Sequence, residues 1–208
     1  MSTEQYVERL LGEDADLARV HQTIQQLGMP EISIAAGYGR LLTMLVRMSG
    51  AKNVLEIGAL GGYSGICLAR GLSDGGRLTS LELLQNYADV ARGSLEAAGL
   101  GDRVEYRVGD AKESLAVLAE EGRKFDFFFI DADKESYPLY LEWAIKLANP
   151  GAVITGDNAL LHGRTVDPEK NGPSVLAMRE FNASMVSDER LIGTLLPAYD
   201  GLAVAVVK

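Results

Sequence analysis

The chain has few of the residues that staple, anchor or coat polyanions. Cys67 is the single cysteine among 208 residues, so no internal disulfide can form, and a reducing cytoplasm suits it. Basic residues are outnumbered: 20 Lys and Arg stand against 29 Asp and Glu, a formal charge of −9, with no block of like charge. A nucleic-acid partner needs a basic stripe to displace counterions, so that class is disfavoured. No apolar run approaches the roughly 20 residues that span a bilayer, which argues against a membrane partner. The first residues, Met1-Ser2-Thr3-Glu4-Gln5-Tyr6, show neither the basic nor the apolar region of a secretory signal. A cytoplasmic location is expected. Internal repeats and low-complexity segments are also missing.

What is present is apolar content for a full core, 47% of residues, in one domain's length. A single domain over 1–208 is expected, with a helical appendage over 1–50 and an α/β core over 51–208. Residues 3–27 read as two helices broken near Gly12-Glu13-Asp14, with Asp14 as N-cap and Leu17, Val20, Ile24 and Leu27 at helical spacing. Pro30 ends that region. A third helix runs from about Gly37, with Tyr38, Leu41, Leu42, Leu45 and Val46 on one face, and Gly50 closes it.

From Asn53 strands and helices alternate. The strands read as 53–57, 77–81, 103–108, 125–130 and 151–156, and the helices as 63–71, 85–98, 111–121 and 136–148. Helix 85–98 places Tyr87, Val90, Ala91, Leu95 and Ala98 on one face, with Gly99 past its end. Such alternation implies a doubly wound parallel sheet with right-handed crossovers. The rhythm breaks after Asn158. A polar loop (Gly163 to Pro173) leads to a helix near 174–186 and two strands, 190–196 and 202–207. Gly201 marks a tight turn between them, so the sheet should end in an antiparallel hairpin.

The chemistry concentrates at strand ends. In an open parallel sheet, ligands collect at the carboxyl ends of the strands. The runs Phe125–Ile130 and Val153–Gly156 end in Asp131-Ala132-Asp133-Lys134 and in Asp157-Asn158. Asp131, Asp157 and Asn158 form an all-oxygen set suited to Mg²⁺, Ca²⁺ or Mn²⁺ rather than zinc, with Lys134 nearby as proton acceptor. The bland readings are a helix N-cap for Asp131 and a surface pair with Asp133 for Lys134. Asp131 lies too far upstream to cap helix 136–148; Asp133 or Ser136 fits that role better.

The first strand runs Val54-Leu55-Glu56-Ile57-Gly58-Ala59-Leu60-Gly61-Gly62-Tyr63-Ser64. Glycines there let the backbone turn and a ligand approach. The spacing Gly58-x-x-Gly61 is not the Gly-x-Gly-x-x-Gly of a dinucleotide site, and no Gly-Lys-Ser/Thr follows. Glu56 would repel phosphate and attract an ammonium, which favours a nucleoside cofactor carrying an amino acid. Glu82, ending the second strand, is placed to bind ribose hydroxyls, or to charge the N-terminus of helix 85–98. Asp110 in Gly109-Asp110-Ala111 either accepts from an adenine amino group or caps helix 111–121. Three acidic strand ends in series, Glu56, Glu82 and Asp110, are hard to explain by capping alone.

Other reactive residues carry less. Cys67 reads as a small buried hydrophobe, His21 as a solvent-facing helix residue, His162 as a loop residue, and Trp143 as packing or subunit contact.

The series Leu55-Glu56-Ile57-Gly58-x-x-x-Gly62-Tyr63-Ser64, Glu82, Gly109-Asp110-Ala111, Phe129-Ile130-Asp131-Ala132-Asp133-Lys134-x-x-Tyr137-x-x-Tyr140 and Gly156-Asp157-Asn158 resembles the metal-dependent class I O-methyltransferases. The resemblance is to the catechol and caffeoyl-CoA group, over about residues 35–208. It implies a Rossmann-like seven-stranded sheet and S-adenosylmethionine as methyl donor. Glu56, Gly58, Gly62, Tyr63 and Ser64 would line its methionine end, Glu82 would hold the ribose, and Asp110 and Ala111 would meet the adenine. Asp131, with Asp157 and Asn158, would bind the metal, Mg²⁺ foremost, and would border the donor. Lys134 would be the base, with Asp131 beside it at the catalytic centre. The acceptor would be a small hydroxylated aromatic, and the enzyme a homodimer through its N-terminal helices.

Catechol-type enzymes use a further acidic residue near the chain end. The matching segment 191–199 has none, which argues against a mammalian-style catechol preference. Residues 29–34 and the loop 160–173 are expected to set specificity. Two other classes compete: a nicotinamide-dependent oxidoreductase, which the missing third glycine opposes, and a non-catalytic S-adenosylmethionine-binding protein, which the intact oxygen trio opposes.

Overall fold

A computed structural model describes residues 1–208. Seven strands form one sheet in the order β3-β2-β1-β4-β5-β7-β6, and the chain divides into two compact units, 1–114 and 115–208.

The first unit opens with three helices. α1 (Thr3–Leu11) begins at a capping box, in which Ser2 and Gln5 exchange side-chain-to-backbone hydrogen bonds. α2 (Ala15–Gln26) begins at Asp14, whose carboxylate accepts from the N–H groups of Asp16 and Leu17. It buries Val20 and Ile24, while Leu27 falls past its end and is exposed. α3 (Ala36–Ser49) buries Tyr38, Leu42 and Val46 and stops at Gly50, whose φ of 67° no β-carbon would favour. β1 (Asn53–Ile57), β2 (Arg77–Glu82) and β3 (Val104–Val108) pair in parallel. Their connections are α4 (Tyr63–Gly71) and α5 (Gln85–Ala97), and α6 (Ala111–Glu120) follows β3. Arg70 at the end of α4 forks onto Asp14 at 2.7 Å and Asp16 at 2.6 Å, tying α2 to α4. The core face of α5 is Ala88, Ala91 and Leu95. Tyr87 and Val90, read as core from their spacing, are only half-buried.

The second unit holds β4 (Phe125–Ile130), α7 (Tyr137–Leu147), β5 (Ala148–Asp157), α8 (Pro173–Ser187), β6 (Leu191–Leu196) and β7 (Leu202–Val207). β4 and β5 are parallel, and β7 is antiparallel to both β5 and β6. The C-terminal hairpin therefore stands as expected. Four phenylalanines of β4 are buried, the near-continuous apolar reading of a strand covered on both faces.

The start of α7 differs from expectation. A 3-10 turn over Lys134–Ser136 precedes it, and neither Asp133 nor Ser136 caps through its side chain. Asp133 instead accepts from the Tyr140 hydroxyl at 2.5 Å.

Candidate active site

In the first unit, the strand ends and the glycine turn are held by two carboxylates. Glu56 has no exposed surface, and its two oxygens accept from the hydroxyls of Ser64 and Ser80, each at 2.5 Å. Glu82 is nearly buried. Its Oε2 accepts from the backbone N–H groups of Ala59 and Leu60, both at 3.0 Å, and its Oε1 from that of Leu84 at 3.1 Å. One side chain thus fixes the turn after β1 and the entry to α5, while Leu60 sits at a left-handed φ of 48°.

Gly58 (φ 99°) donates its N–H to Leu81, and Gly62 (φ 91°) opens α4. A β-carbon on Gly62 would lie 3.0 Å from the Ala91 carbonyl oxygen, so the turn has room for glycine there and little else. Tyr63 is buried, with its ring 5.0 Å from that of His21; burial pushes its phenol well above the usual range. His21 remains exposed, as read, but it covers a site residue. Asp110 is exposed and accepts from the Lys112 N–H at 2.8 Å, the capping bond at the start of α6. Ala111 is the first residue of that helix.

In the second unit two carboxylates, Asp131 and Asp157, stand at the ends of β4 and β5, close enough for one to raise the other. Asp157 is 5% exposed. Burial first, and the Asp131 carboxylate next, push its acid up to about 7, with Asp200 adding to the effect. The Asn158 N–H and Lys134 act in the opposite direction. Asn158, next along, adopts a left-handed φ of 56°, a conformation asparagine tolerates better than most residues.

Lys134 pairs with Asp131 at 2.8 Å, not with Asp133, and also donates to the Tyr137 hydroxyl at 2.7 Å. No group of three His, Cys, Asp or Glu side chains is arranged to hold a metal; the set here is two carboxylates and an amide. The donor chemistry fits a hard divalent cation. A buried carboxylate raised by a second carboxylate beside it marks a centre of negative charge that such an ion would offset.

Two residues of this region gained no role from the sequence. Asp200 stands one position beyond segment 191–199. It raises the Asp157 acid and accepts from the His162 N–H at 2.5 Å. In sequence it stands next to Gly201, where an acid reads as part of a turn. Tyr137 links both strand ends, and only its place in a motif marked it.

The loop after Asn158 is tied down from α8. Arg179 donates to the backbone carbonyls of Thr165 (2.8 Å), Asp167 (2.5 Å) and Arg164 (3.4 Å), and to the Asn171 side chain at 3.0 Å. Asn182 donates to the Ala159 carbonyl at 2.7 Å. His162 is an exposed loop residue, Cys67 is buried with its thiol pushed up to about 12, and Trp143 is half-buried beneath the Lys146 ammonium.

A parallel sheet with a reversed C-terminal hairpin, acidic strand ends and a glycine turn define a class I methyltransferase architecture, and the comparisons agree. The O-methyltransferase family profile matches residues 8–208. A catechol O-methyltransferase of Niastella koreensis is 40% identical over 214 residues, covering 100% of this chain and 97% of that protein. The crystal structure of an O-methyltransferase from Bacillus cereus in complex with SAH superposes with a TM-score of 0.92 at 44% identity, covering 99% and 96% of the two chains. TomG of Streptomyces achromogenes, an O-methyltransferase of tomaymycin synthesis solved with SAM, gives 0.91 at 35% identity and covers all of both chains. The chain belongs to the O-methyltransferase family, whose members are S-adenosylmethionine-dependent enzymes.

Proposed function

We propose that this protein is a metal-dependent enzyme that transfers the methyl group of S-adenosylmethionine to a hydroxyl of a small catechol-like or hydroxycinnamoyl-type acceptor. The observation that carries the metal part is Asp157: a buried carboxylate raised by a second carboxylate, Asp131, with the Asn158 amide following it. The family membership and the relatives named for catechol O-methylation support the acceptor class.

The roles divide by unit. In the first, Gly58 and Gly62 give the donor's methionine end a close backbone approach. Glu56, which has no surface of its own, accepts from the Ser64 hydroxyl and fixes that residue beside the methionine end, and Tyr63 walls it. Glu82 holds the ribose hydroxyls while fixing the turn through Ala59 and Leu60. Asp110 and Ala111 border the adenine. The bound donor supplies a methyl group on a sulfonium, so the protein's work is alignment.

In the second unit, Asp131, Asp157 and Asn158 hold the cation, Mg²⁺ by preference and Mn²⁺ or Ca²⁺ as substitutes. A cation bound there supplies Lewis acidity toward the acceptor oxygen. Lys134 is the group placed to take the acceptor's hydroxyl proton at Nζ, and Asp131 beside it sets where Nζ sits. Asp200 lends further negative charge to the acceptor side, a place for a second hydroxyl to donate.

The whole of 1–208 acts as one catalytic domain, since the family match runs through both units. The active form is a homodimer. Leu10 of α1 and Met44 and Met48 of α3, exposed at 66%, 50% and 77%, are the apolar surface a second copy would cover.

The test is a radiolabelled-methyl assay across catechols and hydroxycinnamoyl compounds, with Mg²⁺ and with excess chelator. Methyl transfer that needs the metal is expected, and Asp131→Ala should lose it while keeping its affinity for S-adenosylhomocysteine. Undiminished turnover in chelator would sink the metal-dependent mechanism.

A further inference from the structure

Tyr137 is fully buried at the first turn of α7, and its hydroxyl is the meeting point of three elements. It lies 3.0 Å from the Ile130 carbonyl oxygen at the end of β4 and 3.1 Å from the Asp157 carbonyl oxygen at the end of β5. A phenol has one proton to give, so the two carbonyls share it. On its acceptor side it receives the Lys134 ammonium at 2.7 Å, and the same ammonium sits 4.7 Å from the centre of the ring. A phenol keeps its proton at neutral pH, so it remains a donor to the strand ends.

The ring itself is seated with care. Phe181 of α8 meets it edge-on, with centroids 5.0 Å apart at 78°. Phe181 reaches that place because residue 156 has no side chain: a β-carbon there would stand 2.5 Å from Phe181 Cζ. Gly156 therefore admits Phe181, Phe181 fixes the Tyr137 ring, and the ring delivers its hydroxyl between the two strands that carry Asp131 and Asp157.

We propose that Tyr137 is the positioning residue of the oxygen cluster. Its hydroxyl fixes the separation of the two ligand-bearing strand ends and gives Lys134 a second acceptor besides Asp131. This deepens the reading of Asp131, Asp157 and Asn158 as a divalent-cation site and rests on it. Without the hydroxyl, the strand ends lose their common tie. Lys134 also turns wholly to Asp131, where its charge competes with a cation for the carboxylate. Partners that orient metal ligands are worth about 10- to 100-fold in affinity.

The experiment is Mn²⁺ binding to the full chain, read from the free-ion signal by electron paramagnetic resonance, with folding checked by circular dichroism. Tyr137→Phe keeps the ring and removes the hydroxyl, and it should weaken Mn²⁺ binding by about 10- to 100-fold. In a Lys134→Met background the competing charge is gone, so the same substitution should cost distinctly less. A merely structural defect would instead add equally in both backgrounds. Phe181→Leu, which loosens the ring but keeps the hydroxyl, should fall between wild type and Tyr137→Phe, and it carries the test if Tyr137→Phe does not fold. Wild-type Mn²⁺ affinity in the folded Tyr137→Phe variant, or in Phe181→Leu where that variant does not fold, overturns the proposal. An equal loss in both backgrounds overturns the part assigned to Lys134. If the wild-type chain binds no Mn²⁺ at all, it is the metal reading itself that falls.

Discussion

Asp157 is a buried carboxylic acid held well above the usual carboxylate range. Its acid is raised to about 7, so between its ordinary value near 3.9 and about 7 the metal-free native state holds a proton the unfolded chain has released. Stability then decreases as pH rises through that window, by on the order of 4 kcal/mol at most. Asp157→Asn removes the titration. In chelator, the variant should therefore melt above the wild type at pH 8, and the gap should close toward pH 4. A pH series of thermal melts checks this, and added Mg²⁺ should restore wild-type stability at pH 8 while leaving the variant unmoved. The acidic ends of β4 and β5 were legible because an apolar run ending in carboxylates is a local pattern. Glu56 was legible as an acidic strand end but its burial was not: the hydroxyls of Ser64 and Ser80, which cover it, lie 8 and 24 residues away. The work of Tyr137 was hidden for the same reason, since its carbonyl partners lie on two strands, 7 and 20 residues away.

Among the elements, α8 does more than close the sheet. It sends Phe181 over Gly156 and Arg179 into the loop after β5. Gly156→Ala would drive a β-carbon to 2.5 Å from the Phe181 ring, and overpacking of this kind costs about 1–3 kcal/mol. At this chain length that is a fall of roughly 2–4 °C in Tm per kcal/mol, measurable by calorimetry. Arg179→Ala should leave the sheet intact and release the loop, so limited proteolysis should gain a cleavage site between residues 160 and 173 that the wild type resists. Periodicity placed every strand and helix within a few residues of where it stands, because alternating apolar runs and glycine stops are strong signals. The start of α7 escaped: Asp133 there accepts from a tyrosine hydroxyl four residues inside the helix region. The neighbourhood of the 158–173 loop escaped as well, because a guanidinium from a later helix sets it.

At the scale of the molecule, the acidic chain presents apolar side chains on α1 and α3, Leu10, Met44 and Met48 among them. Light scattering at micromolar concentration should give twice the 22.4 kDa chain mass, and Met48→Glu together with Met44→Glu should return the monomer. No helix is long and apolar enough to cross a membrane. The doubly wound class was legible from strand–helix alternation, whereas the division into two compact units was not, since it depends on which contacts cluster rather than on any break in composition. The Arg179 clamp has one more consequence. A loop whose carbonyls are already claimed by a guanidinium gives up its conformational freedom when the chain folds, not when an acceptor arrives. Such a loop is a wall rather than a lid. Acceptors would be sorted by whether they match a contour that exists beforehand, and a change of acceptor range would come from recasting the loop's surface around a retained Arg179, not from loosening it.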